Sequence, residues 1–272
     1  MNGRAGPPAG QGRMLRIGCV KYLNARPLIR GWPGEVDFDH PSALCKRLAD
    51  GELDVALVSS FEFLRNPIYR IVDEVSISSD GPVYSVVVAH RGDISEIQEI
   101  ELDPASQTAV NLLRCLDGEL GFKPRLVRRN MGASPTGAKL ISAPRAQLMI
   151  GDQAIRFRQE QENEFRFWDL GEQWKKLIGL PFVYALWLIR PEVPNAKTIA
   201  SRLRALRNEN LANLDELIAA ETEFDHQFCA SYYREHLRFS FGEEENEGLR
   251  TFAKLCAKHG LLEKCDLRFD RV

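Results

Sequence analysis

Apolar residues in the first part of the chain fall into short dense runs, separated by stretches where they recur every three or four positions. "MLRIGCV" (14–20) has strand length, and after a turn at Asn24 comes "ARPLIRGW", a helix whose Pro27 fits the first turn, where a missing N–H costs nothing. "VDFDH" reads as a second strand. "PSALCKRLADG" follows as a helix with Ser42 as N-cap, Leu44 and Leu48 on one face, and Gly51 as its stop. "LDVALVSS" is a buried strand ending in two serines. The order β-α-β-α-β predicts a parallel sheet covered by helices.

From "YRIVDEVSISSDGPVYSVVVAH" onward the pattern is strand-rich, with "YSVVVAH" a β-branched segment that crosses out of the first unit. "IQEIELD" precedes a helix in "PASQTAVNLLRCL", where Val110, Leu113 and Leu116 keep helical spacing; "KPRLVRRN" and "AQLMIGDQAI" add two strands. "LPFVYALWLIR" returns the chain to the first unit. Beyond it Ile199, Leu203, Leu206, Leu214 and Leu217 mark one helix, Phe224, Phe228 and Tyr232 a second, and Leu249, Phe252 and Cys256 a third, stopped by Gly260. The expected architecture is an α/β two-lobed clamshell with two hinge-crossing strands. Residues 14–87 and 185–272 form lobe 1, 88–184 form lobe 2, and 1–13 are a disordered Gly/Pro-rich extension, with Met14 an alternative initiator to Met1. Such an arrangement places a small ligand between lobes.

Composition narrows the function classes. With 272 residues, a net charge of −2 and 44% hydrophobic residues, the chain has no basic excess for nucleic acid. No apolar run has transmembrane length and the start lacks a signal-peptide core, so a cytoplasmic protein without nucleic-acid or membrane partners is expected, as a monomer or dimer. The six cysteines show no C-x-x-C and read as reduced thiols. No G-x-S-x-G, Gly-rich phosphate loop or H-E-x-x-H occurs, and the five histidines share no metal-like or triad-like spacing, so neither a metal nor a cofactor is expected.

Candidate chemistry lies at strand ends, where open α/β sheets bind ligands. Asn24 follows the first strand, Ser59 and Ser60 the third, and Ser85 lies on the crossing strand. Ser106 and Thr108 open a helix, and Gly151 and Asp152 follow "LMI". Nearly all are neutral hydrogen-bonding groups. Ser106 and Thr108 are also explained as a helix cap, Ser59 and Ser60 as another, and Asp152 as a third. A helix N-terminus with free N–H groups is equally a carboxylate site, so capping and binding are compatible. Arg125, Arg128, Arg129 and "GEEENEG" read as solvated faces.

"GCVKYLNARPLIRG", "GELDVALVSSFEFLR", "YRIVDEVSISSDGPVYSVVV", "LDPASQTAVNLL", "LMIGDQAI" and "DLGEQWKKLIGLPFVYALWLIR", taken together and in order, resemble the chorismate dehydratases of the futalosine route to menaquinone. The resemblance implies a fold like type II periplasmic binding proteins and a cytoplasmic enzyme. That enzyme removes water from the dicarboxylate chorismate, giving 3-[(1-carboxyvinyl)oxy]benzoate. It further implies that Asn24, in Y-L-N-A, and Ser85, in G-P-V-x-S-V, are catalytic. Ser59, Ser60, Ser106, Thr108, Gly151 and Asp152 match segments that bind substrate in the family. Tyr84, Ala109 and Ile178 depart from it, where a basic residue, Ser and Thr are frequent. Two other classes are compatible with this clamshell: the sister enzyme 1,4-dihydroxy-6-naphthoate synthase, disfavoured by Y-L-N-A and G-P-V-x-S-V, and a non-catalytic solute-binding protein, which would carry a signal peptide or lipid-anchor cysteine.

Overall fold

The computed structural model describes residues 14–103, 106–128, 146–263 and 268–272; the expected extension 1–13, Arg129 and Cys265 lie outside them. The first stretch of chain supplies β1 (Ile17–Cys19), α1 (Arg26–Ile29), β2 (Val36–Phe38), α2 (Pro41–Ala49), β3 (Val55–Ser59), α3 (Ser60–Arg65) and β4 (Arg70–Ser79). Next come β5 (Val86–His90), β6 (Glu99–Leu102), α4 (Gln107–Leu120), β7 (Arg125–Arg128), β8 (Ala146–Ile150), α5 (Gly151–Gln161), β9 (Arg166–Asp169) and α6 (Leu170–Ile178). The remainder is β10 (Phe182–Ile189), α7 (Ala196–Ala212), α8 (Leu214–Ala219), α9 (His226–Ser231) and α10 (Glu243–Lys258).

Among the described residues these strands form two five-stranded mixed sheets, ordered β2-β1-β3-β10-β4 and β7-β6-β8-β5-β9. β1 runs parallel to β2 and β3, as the alternating sequence pattern requires, and β10 inserts antiparallel between β3 and β4. In the second sheet β6 is parallel to β7 and β8, while β5 is antiparallel to β8 and β9. β3 and β5 are buried at every position, which explains their unbroken apolar character: helices or chain cover both faces. The chain leaves the first sheet through residues 80–85 and comes back through 179–181. α10 packs on both β10 and α4, so the C-terminal helix spans the two layers.

Three local features differ from the sequence reading. α2 begins at Pro41 with His40 at the N-cap, since a proline at the first helical position sacrifices no hydrogen bond; Ser42 is inside the helix. The helix expected to run through Leu217 breaks at Asn213, whose backbone N–H and side-chain Nδ2 both return to the carbonyl of Glu209. Ser85 precedes β5 instead of lying on it. After α9 the chain widens into one π-helical segment, Tyr232–His236. Among the described residues no helix is long and apolar enough to cross a membrane.

Candidate active site

A cleft lies between the sheets. Its walls come from the turn after β1 (Tyr22, Asn24), the end of β3 (Ser59), the start of α4 (Ser106, Thr108, Ala109), the β8–α5 junction (Ile150, Gly151) and β10 (Tyr184, Ala185). Of the eight residues expected to form the site, Asn24, Ser59, Ser106, Thr108 and Gly151 line this cleft. Ser60 and Ser85 are fully buried behind it, and Asp152, half-buried, is not among its lining residues. Among the described residues, the lining includes no carboxylate, imidazole or ammonium group.

The serines and threonine divide their work. Ser106 Oγ caps α4 by accepting the Ala109 N–H at 3.1 Å. Thr108 does not cap; its Oγ1 hydrogen-bonds Ser59 Oγ, lies 3.3 Å from Ser60 Oγ and accepts the Phe61 N–H at 3.2 Å. Ser60 Oγ donates to the Val183 carbonyl at 2.7 Å. The start of α4 is thereby joined to the β3–α3 junction across the cleft. Asp152 makes a second such link, accepting the Leu23 N–H at 2.9 Å. Burial raises the Asp152 pKa, and the Leu23 N–H opposes that rise by stabilising the carboxylate.

The turn after β1 carries two polar atoms that remain without partners among the described residues. Leu23–Ala25 is a single 3₁₀ turn, and Pro27 follows in the first turn of α1. Asn24 Oδ1 and Tyr22 Oη are both buried with no hydrogen-bond partner among the described residues. A buried acceptor or donor left in that state costs about 1–3 kcal/mol, so two on one wall mark a place where a ligand would supply hydrogen bonds. Burial, and then the charges of Asp103 and Asp152, push the Tyr22 hydroxyl upward in pKa, so it is a donor at neutral pH. Opposite Tyr22 sits Gly151, at φ +59°, where an added Cβ would come within 2.9 Å of the Tyr22 ring; only glycine permits this approach.

Ser85 is held from several sides. Its carbonyl accepts the Gly151 N–H at 2.8 Å and its hydroxyl accepts from Tyr232 Oη at 2.7 Å. The preceding Tyr84 adopts φ +67°, a left-handed conformation that costs a non-glycine residue about 1 kcal/mol or more. Asp169 holds it there by accepting the N–H groups of Val83 and Tyr84 at 3.0 and 2.7 Å, together with those of Gly171 and Glu172 at the start of α6. Burial raises the Asp169 pKa, against the pull of these N–H groups and of Arg158. Sequence reasoning missed Asp169 and Tyr232. The D-x-x-E spacing of Asp169 and Glu172 was an available helix-start signal; Tyr232 had none, being indistinguishable from a core position on a helix face. Among the described residues no group of three His, Cys, Asp or Glu is placed to hold a metal ion.

Two mixed α/β sheets joined by two crossings, with neutral polar groups facing the space between them, define a protein of the periplasmic-binding-protein fold. The solved structures agree. The alkanesulfonate-binding protein SsuA from Xanthomonas axonopodis pv. citri, solved bound to MOPS, is similar at a TM-score of 0.64 with 16% identity, over 97% of each chain. Protein AF1704 from Archaeoglobus fulgidus gives 0.70 with 17% identity, over 91% of this chain and 98% of that one. Residues 15–258 match the family model described as menaquinone biosynthesis, and the chain belongs to that family. A curated relative, the chorismate dehydratase of Thermus thermophilus, is 31% identical, the match covering 88% of this chain and 93% of the relative.

Proposed function

We propose that this chain is a chorismate dehydratase, a carbon–oxygen hydro-lyase of menaquinone biosynthesis. The observation that carries the proposal is the unpartnered acceptor Asn24 Oδ1 on the cleft wall. Once both carboxylates of chorismate are ionised, the C4 hydroxyl is its only hydrogen-bond donor, and an amide oxygen is its complement. Tyr22 Oη is the matching donor for a carboxylate, and the first turns of α4 and α5 border the same space. The kinship with a curated chorismate dehydratase along most of both chains supports the same reading. Our reading of the lobes, 14–87 with 185–272 against 88–184, has boundaries that fall within β5 and β10, the strands next to the two crossings.

The neutral lining bears on the chemistry. The C3–H bond breaks and its proton passes to a carboxylate of the substrate, since among the described residues no lining side chain is a base of suitable strength. The C4–O bond breaks, the hydroxyl leaves and takes up that proton as water, and the ring becomes aromatic, which supplies the driving force. What the protein contributes is a fixed reactive conformer with the C4 hydroxyl oriented by Asn24. The five described cysteines are buried and unpaired in disulfides, which supports a reducing, cytoplasmic setting.

The test is incubation of purified protein with chorismate, followed by mass spectrometry. A product lighter by one water, with the spectrum of a benzoate, is expected. Unchanged chorismate, with tight binding of some other organic acid, would replace the enzyme reading by a solute receptor.

A further inference from the structure

We propose that Asp152 is a positioning residue for this elimination: from α5 it holds the Leu23 peptide, which Tyr233 holds from the other side, and so keeps the adjoining Asn24 in place on the cleft wall. The proposal rests on the dehydratase reading above and deepens it by giving Asp152 a role through the Asn24 turn instead of on the substrate.

The Leu23–Ala25 turn has no cap of its own, since Tyr22 at its N-cap makes no side-chain hydrogen bond there. The Leu23 N–H is one of the donors that the start of any helical turn leaves over. Asp152 Oδ1 accepts it at 2.9 Å, from 129 residues away in sequence. The carboxylate is not the cap of its own helix, because α5 begins at Gly151 with Ile150 at the N-cap. On the other side of the same residue, the Leu23 carbonyl accepts the Tyr233 hydroxyl at 2.9 Å. Leu23 is fully buried, so water does not stand in for either partner. Asn24, the next residue, lines the cleft, and Asp152 does not. Nor does a carboxylate complement a substrate with two carboxylates of its own, which it would repel.

The rest of the seam keeps α5 and the turn in register. Gly151 faces the Tyr22 ring, where a Cβ would come within 2.9 Å, so Gly151 meets Tyr22 as Asp152 meets Leu23. One helical turn beyond Asp152, on the same face of α5, Arg156 bonds Glu223 Oε2 at 2.7 Å, with its guanidinium 4.5 Å from the centre of the Phe224 ring. Glu223 also pairs with Arg26 at 3.2 Å, and Arg26 is ion-paired with the buried Glu221. Arg26 opens α1 directly after the turn. Arg156 and Glu223 are about half exposed, so their pair alone adds little; the charged bond to buried Leu23 is the stronger hold. A displacement of about 1 Å in a reacting geometry can cost about 10²-fold in rate, which is the scale on which such a hold matters.

Asp152→Ala should lower kcat about tenfold to a hundredfold, with KM for chorismate changed less than about threefold. Asp152→Asn keeps an oxygen that accepts the Leu23 N–H and should recover most of that loss. The discriminating measurement is the double variant Asn24→Ala/Asp152→Ala: if Asp152 acts through Asn24, it is no slower than Asn24→Ala alone. Should Asp152→Ala fold poorly, Tyr233→Phe, which releases the Leu23 carbonyl, is compared with Asn24→Ala in the same way. An Asp152→Ala enzyme with parental kcat, an Asp152→Asn enzyme as slow as the alanine variant, or losses that multiply with Asn24→Ala overturn the positioning role while leaving the dehydratase reading intact. A parent protein that leaves chorismate unchanged overturns both.

Discussion

The two crossings between the sheets are built to opposite rules. The outward one, residues 80–85, is polar and strained: Tyr84 sits at positive φ, Asp169 receives the Val83 and Tyr84 N–H groups, and Ser85 joins the Tyr232 hydroxyl. The return one, residues 179–181, is three residues long and is closed against α10 so tightly that a Cβ on Gly248 would lie 2.1 Å from the Pro181 carbonyl oxygen. The strained crossing adjoins the cleft and the plain one does not. Strain is tolerated where a fixed geometry serves chemistry, and elsewhere the same connection is made by close packing.

That contrast can be tested by breaking each side in turn. The largest effect should come at the cleft: Asn24→Ala should lower kcat about 10²-fold or more, equivalent to roughly 3 kcal/mol, without moving the thermal melt. A wild-type rate in the folded variant would remove Asn24 from the mechanism. Asp169→Asn should cost about 2 kcal/mol in urea unfolding and also depress kcat, because both the helix start and the Tyr84 backbone lose charged hydrogen bonds; loss of stability alone would mean that the strained crossing is only structural. Gly248→Ala should cost about 1–3 kcal/mol by overpacking yet leave kcat per folded molecule unchanged, and a loss of kcat there would erase the distinction between the crossings. Smallest of all, EDTA treatment should leave the chorismate-dependent rate where it was, given a cleft wall of neutral side chains.

Much of the fold could be read from periodicity because the strands are short and uninterrupted. Ile17–Cys19, Val36–Phe38 and Val55–Ser59 fall inside the runs that announce them, and Gly51, Gly121 and Gly260 follow the helices they terminate. The insertion of β10 between β3 and β4 was not readable, since nothing local in "FVYALWLI" specifies its neighbours. At the site, Asn24, Ser59, Ser106, Thr108 and Gly151 stood out because strand ends in α/β sheets converge. Tyr232 was silent for a different reason: it lies 147 residues from Ser85, and its ring has the apolar spacing of an ordinary helix face. A hydrogen bond made over that distance leaves no pattern in the sequence.

The placement of β10 has a consequence for synthesis of the protein. Until residue 189 has been made, β3 and β4 have no strand between them, and both present unpaired edges. Tyr232, which hydrogen-bonds Ser85, arrives some forty residues later still, on the π-helical segment. A ribosome-bound chain therefore carries the first sheet in an open form for most of translation, and the cleft acquires its full set of contacts only when the C-terminal helices fold over it.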